Sequence, residues 1–150
     1  MEVINSLGEV EIIYKSKKPA INRRNISSSS DSYNIAKDIY SDNILESYES
    51  FRVLMLNNAN HFLGWFEASR GGINATIVDV RRIAQAILLS NATSCILMHN
   101  HPTGNLKPSE ADKITTTKVI KGLKLLDIQV LDHLIITLSG YFSFADDGIL

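Results

Sequence analysis

Two histidines and an aspartate in one short stretch have the types and spacing of a divalent-metal site. His99 and His101 are two residues apart, and Asp112 follows the second histidine by eleven residues. Imidazole nitrogens and carboxylate oxygens are common ligands of Zn²⁺, and catalytic zinc sites use three protein ligands and keep a fourth position open. The stretch therefore predicts hydrolytic chemistry in which a metal ion activates water.

A strand and a helix are needed to position these residues. The residues before His99 are apolar and predict a buried strand, in which side chains two apart, such as His99 and His101, share a face. Pro102 ends this strand because it has no N–H group to donate. After a loop, Ser109 predicts a helix N-cap, and Asp112 falls in the first helical turn, from which it can reach back towards the imidazoles.

A purely structural interpretation of the same residues stays open. An acidic side chain in the first turn of a helix is stabilised by the positive end of the helix dipole, so Asp112 does not need a metal to explain it. A histidine near a strand end is often a hydrogen-bonded surface residue. The combination of His99, His101, Pro102, Ser109 and Asp112 at these offsets nevertheless favours the metal site.

The same spacing resembles the JAMM motif of the JAB/MPN metallohydrolases: His99-x-His101-Pro102, six residues, Ser109, two residues and Asp112. Longer runs resemble the RadC branch of that family more closely. They are residues 71–78, 99–104, 131–133 and 141–144. The resemblance covers residues 48 to 150 and is specific, because several separated motifs occur in the right order.

The resemblance implies a zinc ion held by His99, His101 and Asp112. It also implies a general-base glutamate on an earlier strand and a serine, here Ser109, that assists the transition state. JAMM relatives imply peptide or isopeptide substrates. The RadC branch implies a link to DNA repair by name only, without a substrate.

Three glutamates are candidates for the general base. The family pattern places it at the start of the hydrophobic strand that precedes the histidine strand, and Glu49 fits this position best. Glu67 lies in the following strand and is the second choice. Glu46 has the character of a solvated loop residue.

The amino-acid composition indicates which broad class of protein this chain belongs to. The chain has 150 residues, of which 45% are hydrophobic and 21% charged, which suits one soluble globular unit with a substantial core. With a net charge of −1, the chain as a whole does not attract nucleic acid or membranes electrostatically. A single cysteine, Cys95, excludes an intramolecular disulfide framework. No signal peptide or membrane span is recognisable, so we expect a cytoplasmic protein without a membrane partner.

The chain divides into residues 1–45 and residues 46–150, which we expect to pack as one globular unit. The first part reads as a strand at 9–14, a basic run from Lys15 to Arg24 and a helix at 31–40. The basic run leaves nucleic-acid contact open, although such runs are more often solvated loops. Residues 1–45 do not resemble the helical DNA-binding region of full-length RadC proteins. The oligomeric state stays open.

The second part predicts strands at 50–57, 62–69, 94–98, 128–137 and 141–145, with helices at 80–90 and 109–126. This order indicates an α/β (α+β) fold. The resemblance implies a central, curled mixed sheet flanked by helices, as in cytidine-deaminase-like folds. His133 reads as a hydrogen-bonded core histidine, and a role in supporting a metal ligand or in contacting substrate stays open for it. Asp132 reads as a group that can orient a metal-binding imidazole, and His61 as an exposed turn residue.

Three functions follow from these observations. The first is a zinc-dependent hydrolase that cleaves a peptide or isopeptide bond, with Glu49 moving the proton and Ser109 donating to the oxyanion. The second is a metal-dependent nuclease or phosphodiesterase that acts on DNA. The third is a binding module of the MPN type without turnover, which the intact ligand set makes the weakest of the three.

Overall fold

The structure, a computed structural model, describes residues 23–71 and 77–150. Within these ranges the helices are α1 (Ser29–Ile39), α2 (Asp42–Ser47), α3 (Val80–Leu89) and α4 (Glu110–Lys124). The strands are β1 (Ser50–Leu56), β2 (Phe62–Arg70), β3 (Ser94–Asn100), β4 (Gln129–Thr137) and β5 (Gly140–Ser143). The predicted strand at 9–14 and most of the basic run, up to residue 22, lie outside the described residues.

The five strands form one mixed sheet in the order β2-β1-β3-β4-β5. β3 and β4 are parallel, and every other neighbouring pair is antiparallel. The parallel pair requires a crossover, which α4 provides between them. The curled mixed sheet with flanking helices confirms the predicted fold class.

The two faces of the sheet carry separate apolar cores. Along β1, Val53 and Met55 pack with residues of α3 and α4. Leu54 and Leu56 point the other way and pack with residues of α1 and α2. Because both faces are covered, the central strands β1 and β3 are buried throughout, including Arg52 and the polar residues at their ends.

Helices α1 and α4 each begin directly after a serine N-cap. Ser28 before α1 and Ser109 before α4 each accept the backbone N–H of an aspartate three residues on, and that aspartate bonds back to the cap. α4 also approaches α3 closely at Gly122, where an added Cβ would lie 2.6 Å from Val80 Cγ1. These contacts fix α4, and with it the first turn that carries Asp112.

One helix was not predicted. α2 is a short helix immediately before β1, and Glu46 lies exposed within it rather than in a loop. Six residues are too few for helical periodicity to be read from a sequence. None of the helices in the described ranges is long and apolar enough to cross a membrane.

Candidate metal centre

The structure brings together the three residues that the sequence predicted as metal ligands. His99 lies near the end of β3, His101 directly follows that strand, and Asp112 lies in the first turn of α4. The two histidine Nε2 atoms are 2.9 Å apart. Asp112 Oδ1 lies 3.1 Å from His99 Nε2, and its Oδ2 lies 3.4 Å from His101 Nε2. Three potential ligand atoms therefore face one common point.

The separations suit a tetrahedral cation. Ligand atoms bound at roughly 2.0–2.1 Å to a tetrahedral zinc ion lie about 3.4 Å from one another. One potential ligand atom from each of His99, His101 and Asp112 falls within 4.8 Å of the others, so small side-chain adjustments are enough. Two imidazoles and one carboxylate also match the ligand chemistry of catalytic zinc sites, with a fourth position left for solvent.

The ring of His101 is oriented by the loop that follows it. Its Nδ1 lies 2.6 Å from the backbone carbonyl oxygen of Asn105, and a carbonyl can only accept, so Nδ1 carries the proton. In its neutral form the ring therefore directs the lone pair of Nε2 towards His99 and Asp112. The loop reaches this shape through a turn in which Gly104 has a φ of +79°, a conformation that favours glycine.

Asp112 combines the structural and the metal-binding interpretations. Its Oδ2 accepts the backbone N–H of Ser109 at 2.7 Å, which completes the helix cap. Partial burial acts to raise the pKa of Asp112, but the imidazoles of His101 and His99 beside its carboxylate outweigh burial and hold that pKa well below its ordinary value. Burial acts to lower the pKa of His101, and Asp112 outweighs it in the other direction. The site therefore favours positive charge.

Glu49 lies in the cleft that opens onto His101 and Asp112. The cleft has a volume of about 520 Å³, and its lining includes Glu46, Glu49, His101, Lys107, Ser109 and Asp112. Glu49 directly precedes β1 and raises the pKa of His101 by its charge. Two residues further on, Phe51 stacks against the His99 ring with 6.0 Å between ring centroids. The structure thus places Glu49 on the sheet face that carries His99.

Glu67 lies on the opposite face. It pairs with Arg52 across β1 and β2, and its carboxylate accepts hydrogen bonds from Ser50, Arg52 and Arg70. Burial acts to raise the pKa of Glu67, but the hydrogen bonds from Arg70, Ser50 and Arg52 together lower it. Arg52 is itself buried between the rings of Tyr40 and Trp65. Glu67 therefore belongs to a structural charge cluster and not to the cleft.

Ser109 lies beside Asp112 at the start of α4. Its Oγ accepts the backbone N–H of Asp112 at 3.1 Å. Because the hydroxyl is the acceptor in this bond, its own proton is not consumed there. Ser109 also lines the cleft, so the O–H group can donate to a bound molecule.

Two buried residues beside the site make contacts that the sequence alone did not predict. Asn100 is fully buried, and its side chain forms hydrogen bonds with backbone groups of Tyr48 and Ser50, the residues on either side of Glu49. His133 is a buried core histidine, as predicted, but it also lies 2.8 Å from His99 Nδ1 and 2.6 Å from Thr116 Oγ1. Burial lowers the pKa of His133 well below its ordinary value, which keeps the ring neutral. Strand alternation alone could not pair His133 with His99, because the pairing depends on the parallel register.

Two predictions about neighbouring residues were wrong. Asp132 does not orient an imidazole, because its carboxylate accepts hydrogen bonds from Ser143 Oγ and the backbone N–H groups of His133 and Ala145. It points away from the site because neighbours in a strand face opposite sides. His61 is half-buried and not exposed, since it forms a β-bridge with Asn25.

Comparison with known proteins shows the family of the chain. A model of the RadC-like JAB domain family matches residues 26–149. The chain belongs to the RadC-like JAB domain family. The match begins before α1 and therefore includes both N-terminal helices. The division of the chain near residue 45 stays a prediction.

The curated proteins that are similar to this chain are named after a protein family, and their names state no activity. A UPF0758 protein of Flavobacterium johnsoniae is 45% identical over 126 residues, which cover 84% of this chain and 54% of that protein. UPF0758 protein YeeS of Escherichia coli strain K12 is 43% identical over 102 residues, 68% of this chain and 69% of that protein. UPF0758 protein PM1152 of Pasteurella multocida is 41% identical over 102 residues, 68% of this chain and 46% of that protein. The chain thus spans only about half the length of two of these three relatives.

Proposed function

We propose that this domain is a metal-dependent hydrolase of the JAMM type that cleaves a peptide or isopeptide bond, with zinc as its ion. One observation carries the proposal. His99, His101 and Asp112 converge, and the last two line a cleft together with Glu49 and Ser109. Ligands, a candidate base and a candidate oxyanion donor therefore meet where a substrate can enter.

Each residue has a role that its position supports. His99, His101 and Asp112 would hold the ion, which when bound lowers the pKa of water towards ~7 and polarises the substrate carbonyl. Glu49 accepts the proton of the attacking water and returns it to the leaving nitrogen. Ser109 donates its hydroxyl proton in a hydrogen bond to the oxyanion that develops on the carbonyl oxygen.

The charge of the cleft favours an amide over a phosphodiester substrate. Glu46, Glu49 and Asp112 are carboxylates on its lining, and Lys107 is the only lysine or arginine among the lining residues that the structure describes. A bound Zn²⁺ would offset this charge, so the cleft has no excess of positive side chains that would attract the polyanionic backbone of DNA. A neutral peptide or a lysine isopeptide does not need such an attraction.

Hydrolysis of peptide and isopeptide libraries by the zinc-loaded protein tests the proposal. We expect Glu49→Gln to lower kcat by roughly 10²–10⁴-fold, because the general base is lost while the shape of the cleft is kept. Glu46→Gln is the matched control, since it removes the same charge from the same cleft and should leave kcat within about 3-fold.

Other results would favour a different function or a different general base. Zinc-dependent nicking of DNA that Glu49→Gln abolishes, without amide hydrolysis, would favour the phosphodiesterase. Full zinc occupancy without turnover of any library would favour a binding module. Equal effects of Glu49→Gln and Glu46→Gln would contradict the assignment of the base.

A further inference from the structure

A buried histidine from β4 lies between His99 and helix α4. His133 has no exposed surface, and its Nε2 lies 2.8 Å from His99 Nδ1. On the other side of the ring, His133 Nδ1 lies 2.6 Å from Thr116 Oγ1. The two ring nitrogens of His133 therefore each contact one polar partner, and the direction of each hydrogen bond follows from the partners.

Thr116 decides the direction. Its hydroxyl lies 2.6 Å from the backbone carbonyl oxygen of Asp112, which can only accept, so the single hydroxyl proton is used in that bond. Thr116 Oγ1 must then accept the proton on His133 Nδ1. A neutral imidazole with its proton on Nδ1 has a lone pair on Nε2. His133 Nε2 can therefore only accept from His99, and the proton on His99 lies on Nδ1.

This order of hydrogen bonds leaves the lone pair of His99 Nε2 directed at His101 and Asp112, where a cation would lie. The chain of bonds also closes on itself through Asp112. The backbone carbonyl of Asp112 holds the hydroxyl of Thr116, and its carboxylate lies 3.1 Å from His99 Nε2. We call the chain of hydrogen bonds that runs from Asp112 through Thr116 and His133 to His99 the relay. The first turn of α4 thus both starts the relay and contributes a ligand atom.

We infer that Thr116 and His133 are positioning residues that hold His99 in the tautomer able to bind a metal. The inference rests on the proposed metal site and adds to it the residues that prepare one ligand. His101 has a separate device, the carbonyl of Asn105. Ligating histidines usually donate their second N–H to a carboxylate, a carbonyl or water. Here the acceptor is Nε2 of an imidazole, which can accept only in the tautomer that carries its proton on Nδ1.

That property makes the relay sensitive to one hydroxyl group. Without the hydroxyl of Thr116, the N–H at His133 Nδ1 would be buried without an acceptor, which is unfavourable. His133 would then carry its proton on Nε2 and donate to His99 Nδ1. The proton of His99 would move to its Nε2, where it blocks metal binding. Replacement of Thr116 by valine, which has nearly the same shape, therefore tests the relay with little change in packing.

The first experiment measures zinc affinity by competition with a chelator. We expect Thr116→Val to weaken zinc binding about 10–100-fold, the usual effect of losing an outer hydrogen-bond partner. Thr116→Ser keeps the hydroxyl and should restore binding to within about 3-fold of wild type. The exposed Thr117→Val in the same helix is the control and should not change zinc affinity. His133→Gln, whose amide oxygen can accept from His99, should bind zinc more tightly than His133→Leu.

The second experiment needs no metal, and its wild-type measurement needs no variant. Long-range ¹H–¹⁵N NMR of imidazoles in the metal-free protein, at a pH where the rings are neutral, reports which nitrogen carries each proton. We expect protons on Nδ1 of both His133 and His99 in the wild type, and protons on Nε2 of both in Thr116→Val.

The outcomes separate this inference from the proposed function. If the wild type binds no zinc at His99, the metal site is wrong. If it binds zinc, but Thr116→Val binds equally well or the wild-type His133 carries its proton on Nε2, the metal site stands and the relay is overturned.

Discussion

The side-chain oxygen of Asn100 accepts a hydrogen bond from the backbone N–H of Ser50 at 2.8 Å, which joins the end of the histidine strand to the residue after Glu49. The side-chain nitrogen of Asn100 donates to backbone carbonyls on the same segment, those of Ile44, Leu45 and Tyr48. One buried amide therefore holds the end of α2 and the chain that carries Glu49 against β3. The distance between the candidate base and His99 depends on it.

Replacing Asn100 should loosen this connection. We expect Asn100→Ala to lower the free energy of unfolding by about 1–3 kcal/mol, because a buried N–H and several carbonyls lose their partner. Urea denaturation of the metal-free protein measures the change. Asn58→Ala, in the exposed turn between β1 and β2, is the control and should stay within about 0.5 kcal/mol of wild type. An equal, small effect of both substitutions would show that Asn100 does not hold the segment.

The two roles of Asp112 can be separated. Asp112→Asn keeps an oxygen that can accept from Ser109 N–H but removes the negative charge, so we expect helix α4 to remain and zinc affinity to fall by at least about 10-fold. Ser109→Ala should do the reverse, with a loss of about 0.5–2 kcal/mol in unfolding free energy and zinc affinity close to wild type. Chelator competition and urea denaturation on both variants check this. Zinc affinity that follows helix stability in both would mean that Asp112 is only a cap.

The choice between Glu49 and Glu67 shows what the sequence can and cannot decide. Strand alternation predicts that Glu49 and Phe51 share a face, but the sequence does not say which face of β1 meets His99. The antiparallel pairing of Phe51 with His99 answers this, and it is a long-range contact. Glu67, directly opposite Arg52, then falls on the other face. Local sequence patterns predict the helices and strands, but only the register between paired strands shows on which face of the sheet Glu49 and Glu67 lie.

The outer residues of the site were harder to predict for the same reason. His99, His101 and Asp112 are close in sequence, so the spacing within one strand, loop and helix was enough to group them. His133 joins them through the parallel pairing of β3 and β4, and Asn100 reaches the short helix α2, which the sequence did not indicate. Asp132 was assigned to the wrong side because its neighbour His133 faces the site.

Glu67 gives a prediction about the pH dependence of stability. Its pKa in the folded protein lies below the ordinary value of 4.5, so the unfolded chain binds the proton more readily. Glu67 therefore stabilises the fold fully above pH about 5.5, and this contribution is lost as the pH falls through 4.5 and below. We expect the difference in unfolding free energy between wild type and Glu67→Gln to be about 1–3 kcal/mol at neutral pH and to shrink under acid conditions.

Chemical denaturation between pH 3 and pH 7, with a chelator present, measures this difference. Other acidic groups titrate in both proteins, and their contributions cancel in the comparison when they do not contact Glu67. Glu46→Gln, at an exposed position, should give a difference near zero at every pH. A wild-type advantage that grows as the pH falls would contradict the assignment of Glu67 to a charge cluster.

Anomalous diffraction at the zinc absorption edge tests the central claim most directly. A crystal of the zinc-loaded protein should give one strong peak per chain, with His99 Nε2, His101 Nε2 and an Asp112 carboxylate oxygen each about 2.0–2.2 Å from it. We expect the fourth ligand position to face the cleft lined by Glu49. A peak elsewhere, or no peak at these three side chains in excess zinc, would contradict it.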